Sequence, residues 1–275
     1  MKLEELRKRP HWSYSSLQSL LFICSLAWKF QKVDKLKPSH TPVSLAYGSC
    51  YHRVLTTMYN GIMKGSPLSV DDVAELFTSD WRSTVGKENV RYGKLDADGI
   101  EEQGRKLVRL AYDHVDPDEE VISISEVFAV PVRYNGRFMS KPLVGEFDLV
   151  IRGKDGAPVV VDWKTSATRW AKNRAGKSLQ ATAYSYAYSM KHGENVGVRF
   201  DVAVKNVRPV FEQHSTMRGT GDWNLLSKLV AKADAIVEHG LHYANLDSFG
   251  CSGCPYAGAC AEWCRSAEEP AVMAA

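Results

Sequence analysis

The feature that most constrains this chain is an apolar strand that ends in charged residues. Residues 158–161 are Pro-Val-Val-Val, and they lead directly into Asp162, Trp163 and Lys164. A carboxylate and an ammonium group at the end of a buried strand lose hydration unless they face a cleft or a metal. The pattern therefore predicts a polar site on a β-sheet, and a divalent cation is its expected occupant.

The sequence before this strand predicts a β-hairpin. Residues 144–151 form a second short run of apolar and β-branched side chains, and the connection contains Asp155 followed by Gly156. An Asp-Gly pair favours a tight reversal. A turn centred near Asp155 places Asp148 almost opposite Asp162, at the separation of about 5 Å that is typical of paired side chains.

Lys164 completes the predicted site. Side chains alternate along a strand, so Lys164 shares a face with Asp162 while Trp163 points to the other side. Two close carboxylates repel each other, and Mg²⁺ relieves that repulsion while it keeps waters for a substrate phosphate. An ammonium group beside the cation offsets charge on the phosphate oxygens. The predicted reaction is phosphodiester hydrolysis, although an isolated Asp-x-Lys is more often an ordinary ion pair.

Cysteine spacing gives an independent signal. Cys251, Cys254 and Cys260 lie close together, and Cys264 follows. Nothing marks the chain as secreted, so this spacing favours a metal or a cluster over disulfides. Either these four thiolates hold a structural zinc, or the first three join Cys24 around an iron–sulfur cluster. Cys24 by itself is typical of a buried core thiol, so the residues leave both assignments open.

Six short segments of the chain occur together in an order known from one nuclease family. They are residues 13–17 with Cys24, 48–55 with His52, 145–148, 161–165, 180–184 and 251–260. They resemble the motifs of PD-(D/E)XK nucleases of the RecB-like iron–sulfur group. That group includes the fourth CRISPR-associated nuclease family and the nuclease domain of AddB. The similarity is distributed over most of the chain.

This resemblance implies roles for individual residues. The implied catalytic residues are Asp148, Asp162, Lys164, Gln180 and Tyr184. The implied ligands of Mg²⁺ or Mn²⁺ are His52, Asp148, Asp162 and Trp163. The resemblance favours a [4Fe–4S] cluster over zinc, with the ligands Cys24, Cys251, Cys254 and Cys260. Two departures are Asp162, where many relatives carry Glu, and Cys264, which the family pattern does not need.

A basic segment beside the catalytic strand predicts where the substrate binds. Residues 168–177 contain four cations and an indole. Lys and Arg can neutralise successive phosphates while Trp170 stacks on an unpaired base, although a merely solvated loop is an equal alternative. The net charge is only +3, so any nucleic-acid footprint is local. The predicted nucleic-acid-binding residues are Arg169, Trp170, Lys172, Arg174 and Lys177.

Length and patterning predict an α/β fold. The 275 residues are 44% hydrophobic, enough for a substantial core. We expect one nuclease domain over residues 1–275, with a mixed sheet flanked by helices, a helical insertion at about 58–118 and a cluster-binding segment at about 245–265 that the cluster joins to the N-terminal segment. The predicted helices cover residues 15–30, 46–64, 100–114, 179–190 and 223–239, and another helix is capped by Ser69. The predicted strands cover residues 122–133, 143–151, 159–162, 198–205 and 208–214.

Charge and hydropathy bear on location, and the resemblance bears on function. The first ten residues are too charged for a secretory signal, and the apolar stretch at 20–28 is too short to span a bilayer, so we expect a cytoplasmic protein without a membrane partner. The resemblance implies a metal-dependent DNA exonuclease that prefers single-stranded ends, acting in recombination, repair, phage replication or CRISPR spacer processing. Recombination or CRISPR adaptation proteins are the expected partners. The alternative is a DNA-end or single-strand binding subunit with little turnover.

Overall fold

The computed structural model describes residues 2–266, in which helices pack on both faces of a mixed β-sheet. The helices are α1 (Leu3–Arg7), α2 (Tyr14–Gln18), α3 (Ser25–Lys32), α4 (Val43–Met63), α5 (Val70–Val85), α6 (Ala97–Asp113), α7 (Leu179–His192), α8 (Thr220–Glu238) and α9 (Ala257–Arg265). The strands are β1 (Thr41–Pro42), β2 (Val90–Arg91), β3 (Glu120–Val130), β4 (Arg133–Tyr134), β5 (Arg137–Phe138), β6 (Leu143–Arg152), β7 (Pro158–Ser166), β8 (Gly197–Val204) and β9 (Val210–Thr216). Met1 and residues 267–275, which the predicted domain includes, lie outside the described residues.

The main sheet has five strands in the order β3-β6-β7-β8-β9. Strands β6 and β7 form the predicted antiparallel hairpin, and β7 pairs with β8 in parallel. A parallel pair needs a crossover connection, and α7 supplies it. The mixed α/β sheet flanked by helices is therefore confirmed.

Both faces of the central strand β7 are buried. Val160 belongs to an apolar cluster with residues of α7 and α8, such as Ala181 and Leu226. Val161 and Trp163 belong to a second cluster on the opposite face, with residues of α4, α5 and α6. Complete burial of one valine side chain stabilises a fold by about 1.5–3 kcal/mol. The polar residues of β7 thus lie in a strand that packing holds rigidly on both sides.

The predicted helix over residues 15–30 is wrong because the helix breaks before Cys24. A π-helical turn covers Ser19–Ile23, and Cys24 is extended, with φ −163° and ψ 113°. Cys24 then begins α3 as its N-cap, where its Sγ accepts a hydrogen bond from the Ala27 N–H at 3.5 Å. The Leu26 N–H donates to the Tyr243 carbonyl at 3.0 Å. Distant hydrogen bonds therefore replace local helical ones at this point.

The middle of the chain differs from the predicted insertion at its first boundary. Helix α4 crosses residue 58 without interruption and ends at Met63, so α5 and α6 are the elements that follow it. Ser69 caps α5 in a capping box with Asp72, as predicted. The short pairs β1-β2 and β4-β5 are additions that the sequence patterns do not predict. The division into one domain with an insertion stays a prediction.

Two further boundaries matter for the site. The predicted strand 159–162 is too short, because β7 continues to Ser166 alongside β8. The remaining predicted helices and strands occur with shifts of a few residues at their ends. Within residues 2–266, no helix has the length and apolarity that a bilayer crossing requires.

The packing of α5 on α6 generates a stability prediction. A Cβ atom on Gly104 would lie 1.9 Å from the ring of Phe77, which is fully buried. Gly104→Ala should lower the free energy of unfolding by about 1–3 kcal/mol, because overpacking outweighs the better helix propensity of alanine. Gly48→Ala in α4 is the matched control, since its Cβ meets nothing within 4 Å and should stabilise the protein slightly. Denaturant unfolding of both variants measures this, and two equally stable variants would contradict it.

Candidate active site

The site lies where strands β6 and β7 separate. Their pairing runs from Arg152 opposite Pro158 to Leu149 opposite Val161, and one more residue in this register brings Asp148 opposite Asp162. Beyond that point β6 stays paired with β3, while β7 stays paired with β8. The predicted opposition of the two carboxylates thus coincides with the opening of the sheet.

The carboxylate of Asp148 takes the place of the lost strand pairing. The Trp163 N–H, which has no main-chain partner on β6, donates to the side chain of Asp148 at Oδ2, 3.1 Å away. The same oxygen lies 3.2 Å from His52 Nδ1 on α4. The predicted residue His52 therefore contacts Asp148 directly.

Asp162 is buried, with 1% of its side chain exposed, and three side chains surround it. Oδ1 accepts hydrogen bonds from Gln180 Nε2 at 2.6 Å and from the Tyr184 hydroxyl at 2.9 Å. The Lys164 ammonium contacts Oδ2 as an ion pair. Within residues 2–266, Oδ2 accepts no hydrogen bond of normal geometry. Gln180 and Tyr184, both predicted site residues, therefore contact the carboxylate of Asp162 directly.

The side chain of Trp163 points away from the site, as the strand alternation predicts. Its ring stacks on Tyr59 with centroids 5.4 Å apart, on the opposite face of the sheet. Only the main chain of Trp163 faces the carboxylates. Because the N–H and C=O of a strand residue point toward the same neighbour, its carbonyl is directed to the space beside Asp148. Any metal contact from Trp163 must come from that carbonyl.

The two carboxylates have opposite electrostatic environments. Burial favours the neutral form of Asp148, but His52, Lys164 and the Trp163 N–H together hold its pKa below the ordinary value. Burial raises the pKa of Asp162 above the ordinary value, since Lys164 does not compensate fully and the charge of Asp148 opposes ionisation. Burial disfavours the charged form of His52, but the Asp148 carboxylate outweighs it and raises the pKa of the imidazole.

This donor set fits a hard divalent cation. Asp148, Asp162 and His52 all line a cavity of about 250 Å³. Carboxylate and carbonyl oxygens are ligands that Mg²⁺ and Mn²⁺ prefer, and imidazole is an acceptable partner. In the described part of the chain, no three His, Cys, Asp or Glu side chains already converge on one point that could hold an ion. His52 and Lys164 instead contact the carboxylate oxygens, with which a bound cation would also interact.

A larger groove of about 790 Å³ adjoins the cavity. Tyr14, Ser15, Lys164 and Gln180 line both spaces. Tyr14 was not among the predicted site residues, although it lies in the segment 13–17 that carries part of the family resemblance. Burial and the nearby Asp162 raise the pKa of Tyr14 to about 12, against an opposing effect of Arg174. This residue therefore stays a neutral hydrogen-bonding group at the junction.

The predicted nucleic-acid-binding residues divide into two sets. Trp170, Arg174 and Lys177 line the groove. Arg169 lies 3.5 Å from Glu212, with which it pairs, and Lys172 is exposed, but neither residue lines the groove.

The indole of Trp170 is already in contact with other rings. Its ring centroid lies 5.2 Å from that of Phe200 and 5.5 Å from that of His214. The Arg174 guanidinium lies over the indole, 4.3 Å from the centroid. Base stacking on Trp170, as predicted from the sequence, therefore requires Arg174 to move away.

The cysteines near the two ends of the chain surround a third cavity, of about 420 Å³. Leu26, Phe30 and Tyr256 form an apolar cluster beside it. Burial and neighbouring thiol groups raise the pKa of Cys254, and they raise that of Cys260 to about 11. Cys50 lies elsewhere, buried in α4 beside Thr84. The cysteines that line the cavity are Cys24, Cys251, Cys254, Cys260 and Cys264.

Comparisons with known proteins assign the family. A crystal structure from Eubacterium rectale, named "Putative exonuclease", superposes with a TM-score of 0.55 at 14% identity over 98% of this chain and 93% of that chain. The crystal structure of SSO0001 gives a TM-score of 0.45 at 11% identity over 94% and 91% of the two chains. No curated protein matches the chain. The family model of the PD-(D/E)XK nuclease superfamily matches residues 11–261. The chain belongs to the PD-(D/E)XK nuclease superfamily.

Proposed function

We propose that the protein is a metal-dependent DNA exonuclease that prefers single-stranded ends. The observation that carries this proposal is the buried Asp162, which faces Asp148 where the sheet opens and whose Oδ2 has the Lys164 ammonium as its charged partner. Two buried carboxylates this close repel each other, and a cation between them would relieve that repulsion. Membership of the superfamily supports the reaction class, because PD-(D/E)XK nucleases generally use divalent metals such as Mg²⁺.

Four groups would hold Mg²⁺ or Mn²⁺. They are the carboxylates of Asp148 and Asp162, the imidazole of His52 and the main-chain carbonyl of Trp163. A cation bound there supplies Lewis-acid activation of water and positive charge for the phosphate oxygens. The protein supplies the orientation of these ligands.

Three further side chains have distinct roles in this proposal. Gln180 and Tyr184 both donate to Oδ1 of Asp162, so they hold the carboxylate with Oδ2 toward the cavity and act as positioning residues. Lys164 contacts Oδ2, and a cation on that oxygen would displace the lysine. Its ammonium then faces the substrate, where it orients the attacking water or offsets negative charge on the phosphate.

The finer parts of the proposal rest on the family resemblance. The Eubacterium rectale structure of similar fold bears an exonuclease name, which is consistent with attack at DNA ends. The same proposal includes assignment to the RecB-like iron–sulfur group, a cytoplasmic location, and action together with recombination or CRISPR adaptation proteins. The alternative of a binding subunit with little turnover keeps the groove but predicts no hydrolysis.

Hydrolysis of labelled DNA tests the enzyme proposal. Lys164→Ala should lower the rate with Mg²⁺ or Mn²⁺ by about 10²–10³-fold, as for loss of one preorganised electrostatic group. Lys232→Ala is the matched control, because this exposed lysine of α8 does not line the groove and its loss should leave the rate nearly unchanged. The assay compares single-stranded, duplex and circular DNA, and circular DNA should resist. Binding without hydrolysis in the wild type would favour the binding subunit.

The ion pair of His52 with Asp148 predicts how metal affinity depends on pH. A cation needs the neutral imidazole, whereas the pKa of His52 is raised in the metal-free protein. Mn²⁺ affinity should therefore fall about tenfold for each pH unit below that raised pKa and recover above it. Calorimetric titration over a pH series measures the slope.

His52→Gln is the control for this measurement, because glutamine does not titrate. Any remaining pH dependence in this variant belongs to the carboxylates, chiefly Asp162 with its raised pKa. Identical pH slopes for wild type and His52→Gln would refute the role of His52 as a metal ligand.

We further propose that Cys24, Cys251, Cys254 and Cys260 hold a [4Fe–4S] cluster. A zinc site and a cluster would both use cysteine thiolates, and these four cysteines line a cavity of about 420 Å³ together with Cys264. The break before α3 places Cys24 on the wall of this cavity. The position of Cys24 supports a cluster that joins this cysteine to the later ones over a local zinc held by Cys251, Cys254, Cys260 and Cys264.

Two serine substitutions separate the cluster from zinc. Cys24→Ser should remove the iron and its visible absorbance and lower the free energy of unfolding by about 4–5 kcal/mol, by analogy with a disulfide that closes a long loop. Cys264→Ser should retain both iron and stability. Iron and zinc analysis with thermal melting measures this in the purified full chain, and Cys50→Ser controls for loss of a buried thiol. A protein that contains zinc and loses it in Cys264→Ser but not in Cys24→Ser would support the zinc site instead.

A further inference from the structure

An exposed aromatic ring lines the groove beside the active-site cavity. Phe22 lies on the π-helical turn Ser19–Ile23, and 54% of its surface is exposed. Tyr14 and Gln18 precede it at intervals of four residues and line the same groove. These three residues form one wall, which begins at the active-site cavity with Tyr14.

Phe22 differs from the other aromatic residues of this groove in its access to solvent. Phe200 is 1% exposed. Trp170 is half-buried against Phe200 and His214, with Arg174 over its ring. Tyr14 is also half-buried. Of the aromatic rings that line the groove, Phe22 therefore has the most surface open to an incoming flat group.

The groove also carries uncompensated positive charge. Arg174 and Lys177 line it, and in the part of the chain that the structure describes neither forms an ion pair with a carboxylate. Lys164 lies at the junction with the active-site cavity. A chain of phosphates with flat, unpaired bases fits such a groove, because cations follow the backbone while aromatic rings stack on bases.

We propose that Phe22 stacks on an unpaired base of the substrate strand and thereby selects single-stranded DNA. This inference rests on the proposed function, since it places the stacked base beside the proposed metal site. The bases of a duplex are already stacked on their neighbours, so a duplex offers Phe22 no free face within its length. Phe22 is a specificity residue, separate from the groups that contact the metal.

The position of Phe22 depends on the turn that leads to Cys24. The Cys24 N–H donates to the Ser19 carbonyl at 2.9 Å and closes the π-helical turn. Phe22 precedes Cys24 by two residues, so the segment that carries the ring ends at the cavity of the cysteines. Iron content must accordingly be measured with every variant of Phe22.

DNA binding without turnover tests the inference. The full-length protein in EDTA is titrated into fluorescein-labelled oligothymidylate and, separately, into a blunt duplex of the same length, and fluorescence anisotropy gives Kd. Phe22→Ala should weaken binding of the single strand by about 5- to 150-fold, the range measured for loss of one base stack, and should leave duplex binding unchanged. Phe22→Tyr should restore tight binding, whereas Phe22→Leu should not, because it keeps an apolar side chain without a ring.

The matched control is Phe138→Ala. Phe138 is 66% exposed but lies on β5, outside the groove, so its loss should change neither Kd. Any of three results would overturn the inference. The single-strand Kd of Phe22→Ala could lie within twofold of the wild-type value, the Kd for single strand and duplex could rise equally, or Phe22→Tyr could fail to restore binding. Unchanged duplex binding and unchanged iron content in Phe22→Ala exclude a general loss of fold or iron as the cause of weaker single-strand binding.

An abasic scan identifies the stacked base. Single abasic sites are moved along the oligothymidylate from its labelled end to its free end. At one position the abasic site should weaken wild-type binding by the same factor as Phe22→Ala, and it should have no further effect on that variant. If the scan finds no such position, the result contradicts stacking by Phe22. The scan measures binding and not hydrolysis. A protein that hydrolyses no DNA but shows this effect of the abasic site would refute the proposed nuclease and still support the role of Phe22.

Discussion

The structure depends on the separation of two strands that begin as a hairpin. Between Leu149 and Arg152 strand β6 pairs with β7, and beyond that point each strand follows a different neighbour. The hydrogen bond from the Trp163 N–H to Asp148 spans the opening at its base. It satisfies a backbone group that the sheet leaves unpaired and also orients the carboxylate. The hydrogen bond between Trp163 and Asp148 therefore contributes both to the sheet and to the candidate active site.

The helix that connects β7 to β8 brings the remaining groups to this opening. A parallel connection must return along the sheet, so α7 passes over the face that carries Asp162. Its first turns present Gln180 and Tyr184 four residues apart, and both reach the same carboxylate oxygen. The two acids differ in their pKa values, because His52, Lys164 and the Trp163 N–H lower the pKa of Asp148 despite its burial, whereas burial raises that of Asp162. Opposite pKa shifts of this kind are expected when two carboxylates lie close together in a buried site.

Local sequence signals were sufficient for the hairpin and for the facing acids. The turn at Asp155 and the two-residue alternation of the strands determine the register, so Asp148 and Asp162 could be paired from the sequence. The break before Cys24 could not be found in this way, because it depends on hydrogen bonds to Tyr243. Likewise, composition made Trp170 a candidate for stacking, but its contacts with Phe200 and His214 arise only when β8 and β9 are in place. Local sequence patterns do not predict the environment of a residue that contacts distant segments of the chain.

The contacts of the N-terminal segment have a consequence for biosynthesis. The Ser25 hydroxyl donates to the Tyr243 carbonyl, 218 positions later, and Ser39 contacts Pro255. Contacts between such remote positions form late in folding. During translation, the strands with the two aspartates emerge before the contacts of Ser25 with Tyr243 and of Ser39 with Pro255 can form. The start of α3, which follows the wall that contains Phe22, is therefore completed only after the acidic pair has left the ribosome.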